Sequence, residues 1–265
     1  MTVATSSHAE TSDDLVAAAG PAASPWGGSA ADTPGGAHER NRVLRSLTID
    51  RHEPLARDLD SVHLRAGQVL GVVDEPMRYV YFPRDAVVAM LAVMDDGITT
   101  ECATIGNEGM VGVEVFLGDG VPRAEIVVEV PGTAARLKPA VFAEAARRDC
   151  QVQATVQGYT LALINQLSHT AACNNLHSIS ERCARWLLMS GDRIGHDTLP
   201  ITHDCLARLL GVRRASVTEA LGSLQKHGMI HYQRGHIRIL QRDQLEQAAC
   251  EDYQLCRDAY DRLYP

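Results

Sequence analysis

The sequence predicts an α+β fold with three parts: an N-terminal β-roll of the jelly-roll type, a long helix suited to dimerisation, and a C-terminal winged helix-turn-helix domain. Three observations support this. Short apolar runs separated by glycine-containing turns fill the first half. In residues 149–175, apolar residues recur at alternating spacings of four and three, which is typical of a packed helix. In residues 176–245, two short helical segments are joined by a glycine, which is typical of a helix-turn-helix.

The composition is that of a globular protein, with 45% hydrophobic and 22% charged residues in 265. The longest uninterrupted apolar run, residues 86–94, is too short to span a bilayer. The N-terminus shows no basic patch followed by an apolar stretch, so we expect no secretory signal and a cytoplasmic location. Seven cysteines without a Cys-x-x-Cys pair fit reduced thiols better than disulfides or a structural zinc site, and we expect no metal ligands.

The charge is unevenly distributed. The chain carries a net charge of −8, yet residues 201–240 hold six Lys or Arg against two Asp or Glu, together with four histidines. The sign of the local charge governs phosphate binding more than the net charge of the whole chain does. This basic window therefore keeps a nucleic-acid partner open.

Two terminal segments stand apart from the predicted domains. Residues 1–40 are rich in Ala, Gly, Ser, Thr and Pro without a periodic apolar face, which predicts a disordered tail. Residues 246–265 form an acidic tail with a helical pattern. No chemistry follows from either segment.

The β-roll is predicted over residues 41–148. Its many short strands at even spacing are typical of a β-sandwich or jelly roll. The predicted strands are 69–73, 79–82, 86–94, 98–105, 112–117, 124–130 and 134–137.

Residues 149–175 are predicted to form a dimerisation helix and a hinge. Residues along this segment recur at alternating spacings of four and three, which is the a/d pattern by which two helices pack along each other. The predicted dimer seam consists of Val152, Val156, Tyr159, Leu163, Gln166 and Thr170, with Cys173 continuing the pattern. The alternative is a helix that lies on its own domain. Asn174 and Asn175 are expected to interrupt the helix and act as the hinge.

Residues 176–245 are predicted to form the winged helix-turn-helix domain. Thr202 caps a first helix that ends at Gly211, and a second helix runs from about Arg213 to Lys226 with its apolar stripe inward. The opposite face is small and polar, with cations at both ends, and suits a major groove. The predicted DNA-binding residues are Thr202, His203, Arg213, Arg214, Ala215, Ser216, Thr218, Glu219, Lys226 and Arg234. Thr202 and His203 are expected at phosphate.

The segments 181–188 (ERCARWLL) and 206–218 (LARLLGVRRASVT) resemble the Crp/Fnr family of bacterial transcription regulators. The resemblance extends over about residues 60–240. It implies a cyclic-nucleotide-binding-like β-roll that senses an effector, a homodimer bound to a palindromic operator, and double-stranded DNA, a second copy and RNA polymerase as partners.

The recognition helix departs from the family pattern, which offers an Arg-Glu pair and a further Arg four residues after the Glu. The corresponding residues here are Arg214, Ala215 and Glu219. Arg214 can bind guanine O6 and N7, Ala215 can contact a thymine methyl group, and Glu219 can accept from cytosine N4. We therefore expect a different operator sequence.

The effector site also departs from the cyclic-nucleotide members. Candidate pocket residues are Gly112, Val113, Arg123, Ala124 and Ser168. Arg123 remains for a phosphate, but Val113 and Ala124 replace the carboxylate and hydroxyl by which the family holds cyclic AMP. Each lost hydrogen bond to a buried ligand costs about 1–3 kcal/mol. The effector stays unknown, and cyclic AMP is not expected.

Other chemistries find little support. No cysteine precedes Cys102, so we expect no iron–sulfur cluster of the kind found in one branch of the family. A haem would need His52 or His63 as its ligand, and each of these histidines is isolated in the sequence. A β-roll oxygenase needs clustered histidines, and His63 is the only one between residues 61 and 140. We therefore expect that this protein is not an enzyme. A sensor of the same fold that acts through protein partners, with weak or no DNA binding, remains the alternative.

Overall fold

The computed structural model describes residues 39–48, 55 and 57–264. The predicted disordered tail therefore lies outside this part of the chain, except for its last two residues. Of these, Glu39 is buried and accepts hydrogen bonds from the Arg84 guanidinium, with Oε2 2.8 Å from Nη2. Glu39 therefore belongs to the folded part of the chain and not to a disordered tail.

Two antiparallel sheets form the N-terminal part and bear out the predicted β-roll. One has the strand order β1-β7-β3 and the other β2-β6-β4-β5. The strands are β1 (Asp60–Leu64), β2 (Val69–Gly71), β3 (Val80–Pro83), β4 (Val87–Val93), β5 (Thr99–Ile105), β6 (Glu125–Val130) and β7 (Gly132–Leu137). Helix α1 (Arg42–Thr48) precedes them.

The prediction of a strand at residues 112–117 was wrong. Gly112 has φ +96°, which turns the chain out of an extended path, and residues Glu114–Leu117 form the short helix α2. The Gly118 and Gly120 N–H groups both donate to the Glu114 carbonyl and close the turn. A β-branched run between glycines fits a strand and this turn equally well, so the sequence pattern alone was misleading. Helix α3 (Pro139–Arg148) was not predicted.

Helix α4 (Cys150–Leu176) is the long helix, and it is continuous where a hinge was predicted. Asn174 and Asn175 both lie inside it. The Asn175 side-chain amide donates to the Ala171 carbonyl at 2.7 Å and so supports the helix. The break comes instead at His177, because Ser178 begins the next helix with a capping box to Glu181.

The predicted dimer seam faces the interior of its own chain, which corrects the seam assignment. The Tyr159 hydroxyl donates to the Met110 carbonyl at 2.8 Å, and the Gln166 amide donates to the Thr104 carbonyl at 2.9 Å. The same alternation of three and four residues also occurs in a helix that packs on a sheet, so the alternative interpretation, a helix that lies on its own domain, describes this face. All six are buried in the single chain: Val152, Val156, Tyr159, Leu163, Gln166 and Thr170.

The C-terminal part begins with α5 (Ile179–Ile194) and contains a small sheet of order β8-β10-β9. Its other elements are β8 (Thr198–Leu199), α6 (His203–Leu210), α7 (Arg214–Lys226), β9 (Ile230–Gln233), β10 (His236–Ile239), α8 (Arg242–Ala248) and α9 (Asp252–Leu263).

The predicted acidic tail is helical but packed. Tyr253, Cys256 and Tyr260 of α9 are buried, and the Tyr260 hydroxyl donates to Gln166 Oε1 at 2.8 Å. Helix α9 therefore completes the core beneath α4. In the part of the chain that the structure describes, no helix is long and apolar enough to cross a membrane.

Candidate nucleic-acid interface

Helices α6 and α7 form the predicted helix-turn-helix. Thr202 caps α6 by accepting a hydrogen bond from the Cys205 N–H at 3.2 Å, and Gly211 ends it with φ +64°. That left-handed turn favours glycine and sends the chain directly into α7. Buried Val217, Ala220, Leu221 and Leu224 hold α7 against the domain core.

The opposite face of α7 is exposed and low in profile. Arg214, Ala215, Thr218, Glu219 and Lys226 are exposed, as is Arg213 immediately before the helix, while Ser216 is half-buried. A side chain at Gly222 would meet nothing within 4 Å. This surface can approach base edges closely, with cations at both ends of the helix.

Arg214 is the predicted base-reading residue, and Asp204 of α6 holds it loosely. The Arg214 Nε lies 3.3 Å from Asp204 Oδ1, and both side chains are 67% exposed. An exposed pair of this kind contributes at most about 1 kcal/mol, so it can open when a base is available. Asp204 was missed by sequence reasoning, although its place in the first turn of α6 is visible there.

The ring of His203, a residue predicted to lie at phosphate, packs against its own domain. Its Nδ1 lies 2.9 Å from Thr218 Oγ1, and its Nε2 is buried with no hydrogen-bond partner among the described residues. The ring packs at 4.2 Å between centroids on Tyr232, a residue that sequence reasoning missed. Burial, and then the positive charge of Arg214, lower the pKa of His203. His203 therefore ties α6, α7 and the wing together through Thr218 and Tyr232.

The turn between β9 and β10 forms the predicted wing. Arg234 and Gly235 have φ +48° and +79°, and Arg234 is exposed at the tip. Along β10 the burial alternates, with Ile237 and Ile239 inward and His236 and Arg238 outward. Arg238 is therefore a further exposed cation of the wing, and the period-two alternation of apolar residues around it could have identified it from the sequence.

The helix-turn-helix is docked on the β-roll rather than separate from it. Arg208 of α6 donates to both oxygens of buried Glu129 at 2.8 Å, so its charge is not available to DNA. Trp186 Nε1 donates to Glu101 at 2.8 Å, and Arg193 pairs with Glu108 at 2.8 Å. Apolar side chains of both parts share one core.

The predicted effector residues do not line the cleft that the described part of the β-roll contains. Gly112, Val113 and Ala124 are buried, whereas the exposed Arg123 guanidinium pairs with Asp74 and Asp119 at 2.8 and 3.2 Å. Ser168 is exposed on α4 and donates to the Ile164 carbonyl. A nearby cleft of about 240 Å³ is lined by Met77, Val115, Gly120, Pro139 and neighbours, and by none of the five.

A family model matches the C-terminal part of the chain. Residues 181–248 match the Crp-like helix-turn-helix domain. This segment runs from the first turn of α5 to the end of α8 and includes the exposed face of α7 and the wing. No curated protein matches the sequence.

Solved structures with the same fold cover most of this chain. FixK2 from Bradyrhizobium japonicum is 19% identical with a TM-score of 0.63, over 72% of this chain and 98% of that one. A CRP-family regulator from Thermus thermophilus is 18% identical with a TM-score of 0.59, over 71% and 96%. A Crp/Fnr-family protein from Eubacterium rectale is 17% identical with a TM-score of 0.58, over 73% and 91%. At these identities the likeness establishes the fold.

Proposed function

We propose that this chain, a DNA-binding transcription regulator of the Crp/Fnr type, binds a palindromic operator as a homodimer and acts by binding rather than by catalysis. The supporting observation is the exposed face of α7, low in profile and flanked by Arg213, Arg214 and Lys226. Arg234 and Arg238 on the wing are exposed as well, and with the cations of α7 they would supply the positive charge that attracts a DNA backbone.

The side chains on α7 favour a specific half-site. Arg214 would donate to guanine O6 and N7, Ala215 would contact a thymine methyl group, and Glu219 would accept from cytosine N4. Thr202, Ser216, Thr218 and Lys226 would contact the backbone around these bases. The operator should therefore contain a guanine that Arg214 reads in each half.

The dimer would form along the exposed stripe of α4 rather than along the predicted seam. Leu161 and Ile164 on this stripe are 68% and 53% exposed, an unusual position for large apolar side chains on a helix. The stripe repeats at spacings of three and four, as a two-stranded coiled coil requires: Ala154, Gln157, Leu161, Ile164, Ser168, Ala171 and Asn175. Pairing here would set two recognition helices about one DNA turn apart.

Selection from a pool of random duplexes tests this function. The full chain should enrich an inverted repeat, and its affinity for that repeat should fall steeply as salt rises because phosphate contacts release counterions. An Arg214→Ala variant should enrich no guanine at the corresponding position. Failure to enrich any site at low salt would favour the alternative, a sensor acting through protein partners, which the anionic Glu219 and the apolar Ala215 on the recognition face would suit.

We also propose that a small effector other than cyclic AMP controls the β-roll. Arg123 is occupied by two carboxylates, and Val113 and Ala124 are buried apolar residues with no group to bind a ribose or a phosphate. Calorimetric titration of the pure protein with cyclic AMP should show no binding at micromolar concentrations. A micromolar dissociation constant would contradict the proposal.

A further inference from the structure

Four potential metal ligands converge where α4 ends and α9 begins. Cys173 lies in the last turn of α4, His177 follows that helix, and Cys250 and Asp252 lie at the start of α9. One ligand atom from each lies within 4.8 Å of all the others. The two cysteines are 77 residues apart in the sequence, so the folding of α9 onto α4 creates the cluster.

We propose that Cys173, His177, Cys250 and Asp252 form a tetrahedral zinc site that fastens the α8–α9 connection to the end of α4. Two thiolates, one imidazole and one carboxylate are a ligand set that zinc accepts. The site would be structural, because four protein ligands leave no open position for a substrate.

The separation of the two sulfur atoms fits a shared metal. Cys173 Sγ and Cys250 Sγ lie 3.4 Å apart, and both cysteines are free and buried. A disulfide would need about 2.05 Å. Two thiolates on one tetrahedral zinc, each about 2.3 Å from it, lie about 3.8 Å apart, so a small outward movement of the sulfurs accommodates the ion.

Two buried polar atoms face each other in the cluster without a hydrogen bond. His177 Nδ1 and Asp252 Oδ2 are 3.3 Å apart, which makes an ion pair only when the imidazole is protonated, and neither atom has a hydrogen-bond partner among the described residues. The Asp252 side chain is only 5% exposed. A buried carboxylate oxygen and an imidazole nitrogen without partners are costly, and a shared cation would satisfy both.

The surrounding residues orient these ligands as in known metal sites. Glu251 Oε2 lies 3.2 Å from His177 Nε2, so the carboxylate can hold the proton on that nitrogen and leave the Nδ1 lone pair for a metal. His169 Nδ1 lies 2.6 Å from Asp252 Oδ1, which leaves Oδ2 for the ion. Such supporting hydrogen bonds typically accompany metal ligands.

The charge around the cluster is balanced for a divalent cation. Two thiolates and one carboxylate around zinc leave one net negative charge, and zinc binding would release the thiol protons to solvent. Arg185 is buried nearby, where its positive charge acts on both Cys173 and Cys250. The site therefore holds no uncompensated charge when the ion is bound.

Metal titration of the reduced, metal-stripped full chain tests the site. We expect one zinc per chain, measured against a chromophoric chelator, and a rise in Tm on adding zinc because the ion binds the folded state. Cobalt(II) alone should give thiolate-to-metal charge-transfer absorption and the intense visible bands of tetrahedral coordination. Less than stoichiometric zinc, or a cobalt spectrum without thiolate bands, would overturn the proposal without any variant.

Variants assign the ligands. Cys173→Ser and Cys250→Ser should each lower zinc affinity by more than about 100-fold, and His169→Gln by about 10- to 100-fold. Cys256→Ser is the matched control, a buried cysteine on α9 outside the cluster, and should keep full affinity. Unchanged zinc affinity in Cys250→Ser, or a Cys173–Cys250 disulfide in protein purified without reductant, would contradict the zinc site.

Discussion

At the scale of single residues, the recognition face depends on one arginine that is only loosely held. Asp204 orients Arg214 in an exposed pair, while the ring of His203 is fixed by Thr218 and Tyr232. The first arrangement leaves a base-reading group free to move, and the second makes the frame around it rigid. Specificity and rigidity therefore reside in different residues of the same helix pair.

Replacing Arg214 should separate base reading from phosphate binding. We expect Arg214→Ala to weaken operator binding by about 1–3 kcal/mol per half-site and to relax the preference at one base pair. The matched control, Lys226→Ala, should weaken all duplexes alike and reduce the salt slope by about 1 for each recognition helix. Anisotropy titrations on the operator and on a single-base variant distinguish these outcomes; equal losses on both duplexes for Arg214→Ala would refute its role.

Glu101 should make the stability of the protein depend on pH. Burial raises the pKa of Glu101 even though Trp186 donates a hydrogen bond to it. An acid with a raised pKa in the folded state stabilises the fold below its ordinary pKa, and this contribution is lost as pH rises through the folded value. We expect Glu101→Gln, which keeps the acceptor, to be more stable than the parent at pH 7 and similar at pH 4. Urea unfolding at both pH values measures this, and a pH-independent difference would contradict it.

At the scale of elements, α4 has two faces that share one spacing. Its buried face packs on the sheet and on α9, and its exposed stripe contains Leu161 and Ile164. A repeat of three and four residues indicates that a helix has a partner, but it does not identify that partner. For this reason the sequence predicted a dimer seam on the face that packs inside the chain, and dimerisation through the exposed stripe stays a proposal.

A charge on the exposed stripe should dissociate the proposed dimer. We expect Leu161→Glu to give a monomer at micromolar concentration, because two buried carboxylates would face each other across the seam, and to weaken operator binding. Leu117→Glu, at a side chain 60% exposed on α2, is the control and should stay dimeric. Light scattering gives the mass. A parent protein that is already monomeric, or a dimeric Leu161→Glu, would exclude this seam.

The winged helix-turn-helix could be predicted from the sequence because its signals are local. Thr202, Gly211 and the stripe through Val217 lie within one short window, and each acts on its immediate neighbours. The cluster of Cys173 and Cys250 could not be predicted, because only the path of α9 brings them together. The prediction for residues 112–117 was wrong for a third reason. The positive φ of Gly112 turns the chain there, and the sequence pattern does not reveal that backbone angle.

At the scale of the whole molecule, the two domains are joined by buried polar contacts as well as a shared apolar core. Arg193 of α5 reaches into the turn at 106–109, where it bonds Glu108 and the Thr104 side chain and carbonyl. Glu129 receives Arg208 in the same way. The β-roll and the helix-turn-helix therefore share buried contacts, through which the proposed effector would act on the helix-turn-helix.

Removing Arg193 should weaken that union. Arg193→Ala leaves Glu108 buried without its partner, and we expect a loss of about 3–5 kcal/mol in the free energy of unfolding. Gly106→Ala should also destabilise, since a Cβ there would overlap the Arg193 side chain. Gly222→Ala, where the space is open, should be neutral or stabilising. Urea unfolding followed by circular dichroism measures all three, and an unchanged midpoint for Arg193→Ala would show that the contact is dispensable.

The seat of α9 beneath α4 has a consequence for synthesis on the ribosome. Tyr260 belongs to the same apolar cluster as Leu44, Phe82 and Tyr159, which are made far earlier. Nascent domains ordinarily fold in the order in which they emerge. Here the N-terminal core lacks Tyr260 until residues 252–263 have left the exit tunnel, so we expect the nascent chain to expose the apolar surface that α9 covers until that point.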